Sequence, residues 1–365
     1  MVVEPAKLGV RDIGAYMIDE DPGDYPEPRI RLNSNESVFG ASPLAIEAAR
    51  DAAGRMERYL EGADAILAPA IGDFFDLDEA RITVGNGSDD LLARLARIYL
   101  GPGTEMLRSE NGYAKAPNYA VANDASVRSV PDQGFITSVD ALLEAISWRT
   151  KMVYLANPEN PAGTHVGDAE IRRLHKEMPS DALLVLDCAY EEYVDSPDHD
   201  GITDLVESAD NIVISRTFSK IFGMAGARVG WMYAPLDIVE NLRKVSTTFP
   251  VADASVAAAL AALKDRGHFD HVFEATVNGR RWLTERLTGL GLDVIPSQAN
   301  FVLVGFPNPE RSAPDADRHL RQKGIAVRRF PSVSFQDYLR ITIGRMDELE
   351  AVANALEEFL QSNER

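Results

Sequence analysis

The sequence predicts an α/β fold: a large domain with a mostly parallel sheet covered by helices on both faces, and a smaller α+β domain. Three observations predict it. The length of 365 residues suits one large domain and one smaller domain better than a single small core. Short, wholly apolar runs alternate with helical segments, as expected of buried parallel strands. After about Pro235 this alternation gives way to long helices and short strands.

The first elements are an extended arm and a helix. Residues 1–30 are rich in Pro, Gly and Asp, which is typical of an extended arm. The segment from Ser42 to Leu60 carries a serine before Pro43 and then an apolar stripe. A hydroxyl residue followed by proline marks a helix start, so this segment predicts a capped helix.

Strands of the large domain follow. The stretch RITVGNGSDDLLARLARIYL predicts a short strand, a glycine turn and an amphipathic helix. Three more apolar strands are predicted in KMVYLANPENPAG, DALLVLDCAYEEY and NIVISRTFSK, each ending in polar residues.

The remaining sequence predicts the smaller domain. An alanine-rich helical region runs from Ser255 to Leu263 and on to Leu290, and a final amphipathic helix runs from Asp347 to Leu360. Between them, GLDVIPSQANFVLVGF, GIAVRRF and YLRITIG each contain a short strand. We therefore expect three regions: an N-terminal arm that joins the small domain (1–35), a large cofactor-binding domain (36–245) and a small C-terminal domain (246–365).

Composition excludes several classes of partner and site. The net charge of −20 disfavours nucleic acid and anionic membranes as partners. Cys188 is the single cysteine, so an intrachain disulfide is impossible and a cysteine-based zinc site is not expected; no metal site is predicted. The N-terminus lacks an apolar core of signal-peptide length, and no apolar run approaches the ~18 residues of a membrane helix. These features predict a cytoplasmic protein.

Polar side chains follow the predicted strands at the point where each strand ends. In open α/β sheets, ligands bind at the carboxyl ends of the strands. Each of these groups alone is weak evidence, since a glycine turn, a strand-end aspartate or a single lysine usually has a structural role. The candidates, in chain order, are Gly87, Ser88 and Asp89, then Asn160, then Asp187 and Tyr190, then Thr217, Ser219 and Lys220, with Arg228 close behind.

Together these groups match the needs of one cofactor, pyridoxal phosphate. Its phosphate requires helix N–H groups, hydroxyls and an arginine. Its ring nitrogen requires a buried carboxylate to remain protonated, its ring oxygen requires Tyr and Asn donors, and its aldehyde requires a lysine amine.

The chain also resembles a known family, the fold-type I pyridoxal-phosphate aminotransferases (class I/II, aspartate-aminotransferase-like), and within it is most similar to the histidinol-phosphate aminotransferases. The resemblance covers nearly the whole chain. It lies in the order and spacing of RLNSNES, RYLEG, GNGSDD, NPENPAG, VLDCAYEEY, SRTFSKIFGMAGARVGW, SQANFVLV and YLRITIG.

The resemblance implies roles around the cofactor ring. Lys220 is expected to be the Schiff-base lysine, which also moves the proton during the reaction. Because a free lysine has a pKa of about 10.4, the site must lower it by desolvation and nearby cations. Asp187 is expected to pair with the ring nitrogen, Tyr190 and Asn160 to hydrogen-bond the ring oxygen, and Tyr113 to stack on the ring face.

The resemblance also implies roles at the phosphate and the substrate. Phosphate contacts are expected from Thr217, Ser219 and Arg228, from the helix start at Gly87, Ser88 and Asp89, and from Tyr59 of the neighbouring subunit in a homodimer with shared sites. Arg340 is expected to bind the substrate α-carboxylate, a bidentate role that suits its planar guanidinium. Arg328, Tyr16 and Asn35 are expected elsewhere on the substrate side.

The predicted function is a ping-pong aminotransferase that acts on a small-molecule amino donor and a 2-oxo acid. Histidinol phosphate is the favoured donor and 2-oxoglutarate the acceptor, which predicts a place in histidine biosynthesis. Two alternatives share every motif: an aminotransferase for aromatic amino acids, and a decarboxylase of a phosphorylated amino acid. A non-catalytic cofactor-binding or regulatory protein is a third, disfavoured because the sequence shows no basic patch or added module.

Overall fold

The structure is a computed structural model that describes residues 7–14, 25–197, 199, 201–330 and 332–362. Its helices and strands are numbered here in chain order.

Twelve strands are found in the described residues. They are β1 (Ile30–Arg31), β2 (Ile82–Gly85), β3 (Glu105–Ser109), β4 (Ser126–Val130), β5 (Thr150–Ala156), β6 (Leu183–Asp187), β7 (Ile212–Thr217), β8 (Gly230–Tyr233), β9 (Asp293–Ile295), β10 (Phe301–Gly305), β11 (Ile325–Ala326) and β12 (Tyr338–Thr342).

Twelve α-helices are found in the same part of the chain. They are α1 (Pro43–Ala52), α2 (Ala63–Phe75), α3 (Ser88–Tyr99), α4 (Ala116–Val121), α5 (Val139–Ala145), α6 (Asp168–Glu177), α7 (Thr203–Ser208), α8 (Leu236–Lys244), α9 (Asp253–Lys264), α10 (Arg266–Gly289), α11 (Ala313–Gln322) and α12 (Met346–Gln361).

The large sheet has seven strands in the order β2-β8-β7-β6-β5-β3-β4. Strand β8 is antiparallel to both neighbours, and the other pairs are parallel. Alternate residues of β6 enter two different cores: Leu184 and Leu186 pack in one, Leu183 and Val185 in the other. The first core contains α2, α6 and α9 and the second contains α3, α4 and α8, so helices cover both faces as the sequence predicted.

A separate core surrounds the small antiparallel sheet, whose strand order is β12-β10-β9. Helices α11 and α12 contribute to this core. The N-terminal segment joins it through β1, which pairs in parallel with β11, and through Leu32, which is fully buried. This pairing agrees with an arm attached to the small domain. The boundaries at residues 35/36 and 245/246 remain predictions.

Two helical segments end where the sequence did not predict. Helix α1 begins at Pro43 with the Ser42 hydroxyl accepting a hydrogen bond from the Leu44 N–H, as expected. It ends at Ala52 rather than Leu60, in a 3₁₀ turn that contains Gly54, whose backbone freedom disfavours a continued helix. The later alanine-rich region is divided at Asp265, whose side chain caps α10 by accepting from the His268 N–H.

Among the described residues, none of the helices combines the length and the apolar composition that crossing a bilayer requires.

Candidate active site

A cleft of about 350 Å³ lies at the carboxyl ends of the central strands. It gathers thirteen residues that the sequence predicted: Asn35, Ser88, Asp89, Tyr113, Asn160, Asp187, Tyr190, Thr217, Ser219, Lys220, Arg228, Arg328 and Arg340. The remaining lining residues are Asn33, Ser34, Glu36, Ala156, Ala189 and Ala225, which the sequence analysis did not identify.

Three predicted residues are not among those that line the cleft. Gly87 lies just behind it, against the Arg228 guanidinium. Tyr59 is 78% exposed and stacks on Phe249, with ring centroids 4.3 Å apart. Tyr16 lies outside the described residues.

Asp187 is held at the floor of the cleft by the sheet. It is the last residue of β6 and pairs with Ala156 of β5 and Ser215 of β7. One carboxylate oxygen, Oδ2, accepts a 2.6 Å hydrogen bond from the Tyr154 hydroxyl. The other oxygen, Oδ1, is buried and accepts no hydrogen bond of normal geometry from the described residues, although the Ala189 backbone N–H is close enough to lower the pKa of this carboxyl. A buried carboxylate oxygen without a donor is costly, so its position favours a ligand that brings an N–H group.

Burial raises the pKa of Asp187 to about 6, although the hydrogen bond from Tyr154 has the opposite effect and lowers it. The nearby Asp89 carboxylate also raises this pKa and Lys220 lowers it. At pH 7 the carboxylate is therefore mostly ionised, although it is buried. A cationic N–H partner would be stabilised at this position.

Tyr190 and two asparagines form a hydrogen-bonded group above Asp187. The Tyr190 hydroxyl accepts hydrogen bonds from the Asn35 side-chain amide at 3.0 Å and from the Asn160 amide at 3.4 Å. Asn35 is held by Thr342, which donates to its side-chain oxygen at 3.3 Å. The sequence placed Asn35 on the substrate side, and in the structure its amide contacts Tyr190. A hydroxyl fixed in this way can donate to a ring oxygen.

Arg340 lies on β12 of the small sheet and reaches across to the large domain. It is buried, and it donates to the Asn160 side-chain oxygen at 2.6 Å and to the Asn33 carbonyl at 2.9 Å. Its guanidinium carbon lies 5.2 Å from the centre of the Phe301 ring. These contacts fix the planar guanidinium, which favours bidentate binding of a carboxylate.

The opposite end of the cleft holds hydroxyls and a second arginine. Thr217 donates to the Ser219 hydroxyl at 2.9 Å, and Arg228 donates to the same hydroxyl at 3.3 Å. Arg228 adopts a left-handed φ of 53°, unusual for a residue with a side chain. Two hydroxyls and a guanidinium together suit a phosphate.

Backbone approaches closely at this end because two glycines allow it. A Cβ on Gly87 would lie 2.3 Å from Arg228 Nη2, and a Cβ on Gly230 would lie 2.3 Å from the Ser88 N. The Gly87 N–H already donates to the Gly85 carbonyl, so Gly87 contributes space rather than a donor. The first turn of α3, at Ser88 and Asp89, presents the N–H groups and positive dipole end that bind anions.

Lys220 stands between these two ends, with its Nζ 5.5 Å from the centre of the Tyr190 ring. Burial lowers the pKa of its amine to about 8. The positive charges of Arg340 and Arg228 also lower this pKa, whereas the negative charge of Glu36 raises it. A lysine with this pKa has a substantial neutral fraction near pH 7 to 8. Its amine can therefore act as a nucleophile and as a base.

The cleft fits pyridoxal phosphate at each of its functional groups. The unpartnered oxygen of Asp187 suits the protonated ring nitrogen, and Tyr190 and Asn160 suit the ring oxygen. Lys220 suits the aldehyde, while Ser219 and Arg228 suit the phosphate.

Comparison with known proteins agrees with this reading. Residues 27–356 match the model of the family described as aminotransferase class I and II. A histidinol-phosphate aminotransferase of Granulibacter bethesdensis is 44% identical over 96% of this chain and 95% of its own length.

The chain belongs to the class I and II aminotransferase family.

Two solved aminotransferases support the fold. A histidinol-phosphate aminotransferase from Sinorhizobium meliloti, solved in complex with pyridoxal 5'-phosphate, superposes with a TM-score of 0.86 at 29% identity, covering 92% of this chain and 91% of that one. A tetra mutant of Thermus thermophilus aspartate aminotransferase shares the fold with a TM-score of 0.77 at 24% identity, covering 91% of this chain and 97% of that one. The predicted family, enzyme class and fold class of this aminotransferase are confirmed.

Sequence reasoning missed two residues that position the site of this aminotransferase. The Tyr154 hydroxyl donates to Asp187, and the feature that could have revealed it is a tyrosine among the apolar residues in the second half of β5. Glu159 is buried and accepts from the backbone N–H groups of Tyr113 and Asn160, at 3.0 and 2.9 Å. The sequence feature that could have indicated Glu159 is an acidic residue between the two prolines of NPENPAG.

Replacing Asp187 by Asn tests the role of its charge. Asn can keep the hydrogen bond from Tyr154 but has no negative charge to hold a proton on the ring nitrogen. We expect bound pyridoxal phosphate to remain, because the phosphate contacts are intact, while kcat falls at least about 100-fold. Steady-state kinetics and the absorbance of bound cofactor measure the two effects. Tyr154→Phe is the control and should lose much less activity; equal losses in both variants would contradict the assignment.

The lowered pKa of Lys220 predicts how its reactivity depends on pH. The amine must lose its proton before it reacts with an aldehyde, so the rate at which the apoprotein captures pyridoxal phosphate should rise with pH through about 8. Arg340→Gln removes a cation that lowers this pKa, so its midpoint should move upward. The yellow absorbance of the imine follows the rate, with Nα-acetyl-lysine as the reference amine and Arg329→Gln as the control; borohydride should abolish the colour and leave the cofactor attached to the chain. A wild-type midpoint near 10.5, the ordinary lysine value, would refute the assignment.

Proposed function

We propose that this protein is a pyridoxal-phosphate-dependent aminotransferase that transfers the amino group of histidinol phosphate to 2-oxoglutarate. The observation that carries the chemistry is the pairing in one cleft of Lys220, with its lowered pKa, and the buried Asp187 oxygen that lacks a donor. The substrate is supported by the relative named for it at 44% identity over nearly the full length.

Pyridoxal phosphate, when bound, supplies an electron sink that stabilises negative charge on the amino-bearing carbon of the substrate. The chain's own residues supply the rest. Ionised Asp187 holds a proton at the ring nitrogen, and Tyr190 and Asn160 fix the orientation of the ring. The Lys220 amine removes the proton from the substrate carbon and returns it during transfer of the amino group.

The two substrates differ in the anion that each presents. Histidinol phosphate carries a phosphate and no carboxylate, whereas 2-oxoglutarate carries two carboxylates. Arg340, with its guanidinium held by Asn160 and Asn33, suits the α-carboxylate of the keto acid. Arg328 lines the same cleft, and its backbone pairs with that of Arg340 in both directions, at 3.0 and 2.9 Å. We assign the substrate phosphate to Arg328, because it is a second guanidinium on the cleft beside Arg340.

The active unit is a homodimer in which Tyr59 of each subunit reaches the cofactor phosphate in the other. This proposal rests on the family resemblance and on the exposure of Tyr59, which leaves the residue available to a second chain. Met56, on the same segment, is 81% exposed. We further propose that the enzyme acts in the cytoplasm in the synthesis of histidine.

A panel of amino donors tests the substrate. Purified protein is supplied with 2-oxoglutarate and with histidinol phosphate, histidinol or phenylalanine, and glutamate formation is measured. We expect kcat/KM to be highest for histidinol phosphate and Lys220→Ala to abolish turnover. Preference for phenylalanine would identify an aromatic aminotransferase. Release of carbon dioxide from a phosphorylated amino acid, without glutamate formation, would identify a decarboxylase and contradict the proposal.

If Arg328 binds the phosphate of one substrate and Arg340 the carboxylate of the other, replacing each arginine should raise KM for a different substrate. Arg328→Gln should raise KM for histidinol phosphate at least about tenfold and leave KM for 2-oxoglutarate nearly unchanged, because it removes a phosphate contact. Arg340→Gln should raise KM for 2-oxoglutarate by a similar factor and affect histidinol phosphate less. Full kinetics with both substrates varied measure the split, with Arg329→Gln as a matched control. The same change in both KM values in each variant would rule out separate roles.

A further inference from the structure

A second cluster of titratable side chains lies outside the cofactor cleft. It consists of His165, Asp168 and His199, each of which offers a ligand atom within 4.8 Å of the atoms offered by the other two. His165 follows Asn160 on the segment between β5 and α6, and Asp168 is the first residue of α6. His199 comes from the loop between β6 and α7. None of the three touches the cleft.

Asp168 and His199 already face each other. His199 Nδ1 lies 3.1 Å from Asp168 Oδ1, and the second oxygen of Asp168 accepts from the Gly201 N–H at 2.8 Å. Asp168 is buried, and the His165 ring packs edge to face on the His199 ring, with centroids 5.4 Å apart at 85°. The carboxylate and both imidazoles therefore converge on one small volume.

Glu191 lies behind His199, on the side away from Asp168. Its Oε1 lies 3.6 Å from His199 Nε2, and its other oxygen, Oε2, is buried and accepts no hydrogen bond of normal geometry from the part of the chain that the structure describes. In metal sites, a ligating histidine usually donates its second ring N–H to a carboxylate in this arrangement, which fixes the ring and raises its basicity. Glu191 is placed for that role: His199 can use Nδ1 for a metal ion and Nε2 for Glu191.

The charges at the cluster also suit a cation. Each imidazole has a ring nitrogen that can coordinate a cation, and those of His165 and His199 lie within 4.8 Å of each other and of an Asp168 oxygen. Two carboxylates, Asp168 and Glu191, lie beside these two imidazoles, so negative charge is present to balance that of a cation. Cys188 is not among the residues whose ligand atoms meet there. The available donors are nitrogen and oxygen atoms, which Zn²⁺ binds readily.

We propose that His165, Asp168 and His199 form a zinc site, with water as the fourth ligand and Glu191 as the carboxylate behind His199. Zinc bonds of about 2.0–2.2 Å in a tetrahedron separate neighbouring ligand atoms by about 3.4 Å. The ligand atoms of Asp168 and His199, 3.1 Å apart, are already near that separation. All other pairs of ligand atoms lie within 4.8 Å of each other, and rotation of the side chains can bring them to the required distance. The sequence analysis predicted no metal site because the three ligands come from two segments that meet only in the fold.

The site would join two segments that carry cofactor contacts. One bears Asn160, five positions before His165, and the other bears Tyr190, next to Glu191. Zinc bound between them holds the β5–α6 segment against the segment that follows β6. It lies outside the cleft, so it is a structural site and not a part of the catalytic machinery.

Zinc content tests the proposal directly. The holoenzyme is dialysed against a chelator, incubated with Zn²⁺ and desalted, and the metal that remains is measured by elemental mass spectrometry. We expect one Zn²⁺ per chain in the wild type and at least about a tenfold lower content in His165→Gln and His199→Gln. His175→Gln is the matched control, because His175 lies on α6 but is not one of the three clustered residues, and its ring Nε2 pairs with the Asn211 side chain at 2.9 Å; it should keep the zinc.

A second readout covers variants that fold poorly. Added Zn²⁺ should raise the unfolding temperature of the wild type and of His175→Gln but not of Asp168→Asn, because a ligand that binds only the folded state stabilises it. Wild-type protein that retains no zinc, or equal retention in His165→Gln, His199→Gln and wild type, would overturn the site. Neither measurement depends on turnover, so the outcome is separate from that of the proposed function.

Discussion

The site depends on one constraint, a buried carboxylate held ionised at the end of a parallel strand. Asp187 has one oxygen that accepts a hydrogen bond from Tyr154 and one buried oxygen to which none of the described residues donates with normal geometry. The sheet fixes the position of its backbone through pairing on both sides, which places the carboxylate at the floor of the cleft. The protein thus keeps an unsatisfied acceptor where a ring N–H is to bind. This arrangement costs folding free energy and favours a cationic ring.

The chain is strongly acidic, yet its cleft collects cations. Lys220, Arg228, Arg328 and Arg340 all line it, although the protein carries a net charge of −20. Two of these arginines lower the pKa of Lys220, while the carboxylate of Glu36 opposes them. The same arginines suit the anions of cofactor and substrate. A single set of charges therefore both binds the ligands and tunes the amine that reacts with them.

Sequence reasoning found the residues whose chemistry is visible in a local pattern. Strand-end polar groups such as Asp187 and Lys220 could be predicted, because parallel strands bring their carboxyl ends to one edge. The end of α1 at Ala52 was missed, since apolar periodicity continues past the glycine that breaks the helix. Tyr154 and Glu159 were missed because each acts through a hydrogen bond to another residue and neither lines the cleft. The burial that sets their effect exists only in the folded chain.

The central claim is that ionised Asp187 keeps the ring nitrogen of bound pyridoxal phosphate protonated. The most direct test is the ¹⁵N chemical shift of that nitrogen in labelled cofactor bound to the wild-type protein at neutral pH. The account predicts the shift of a protonated pyridinium in the wild type and that of a neutral pyridine in Asp187→Asn. A neutral-pyridine shift in the wild type would contradict it.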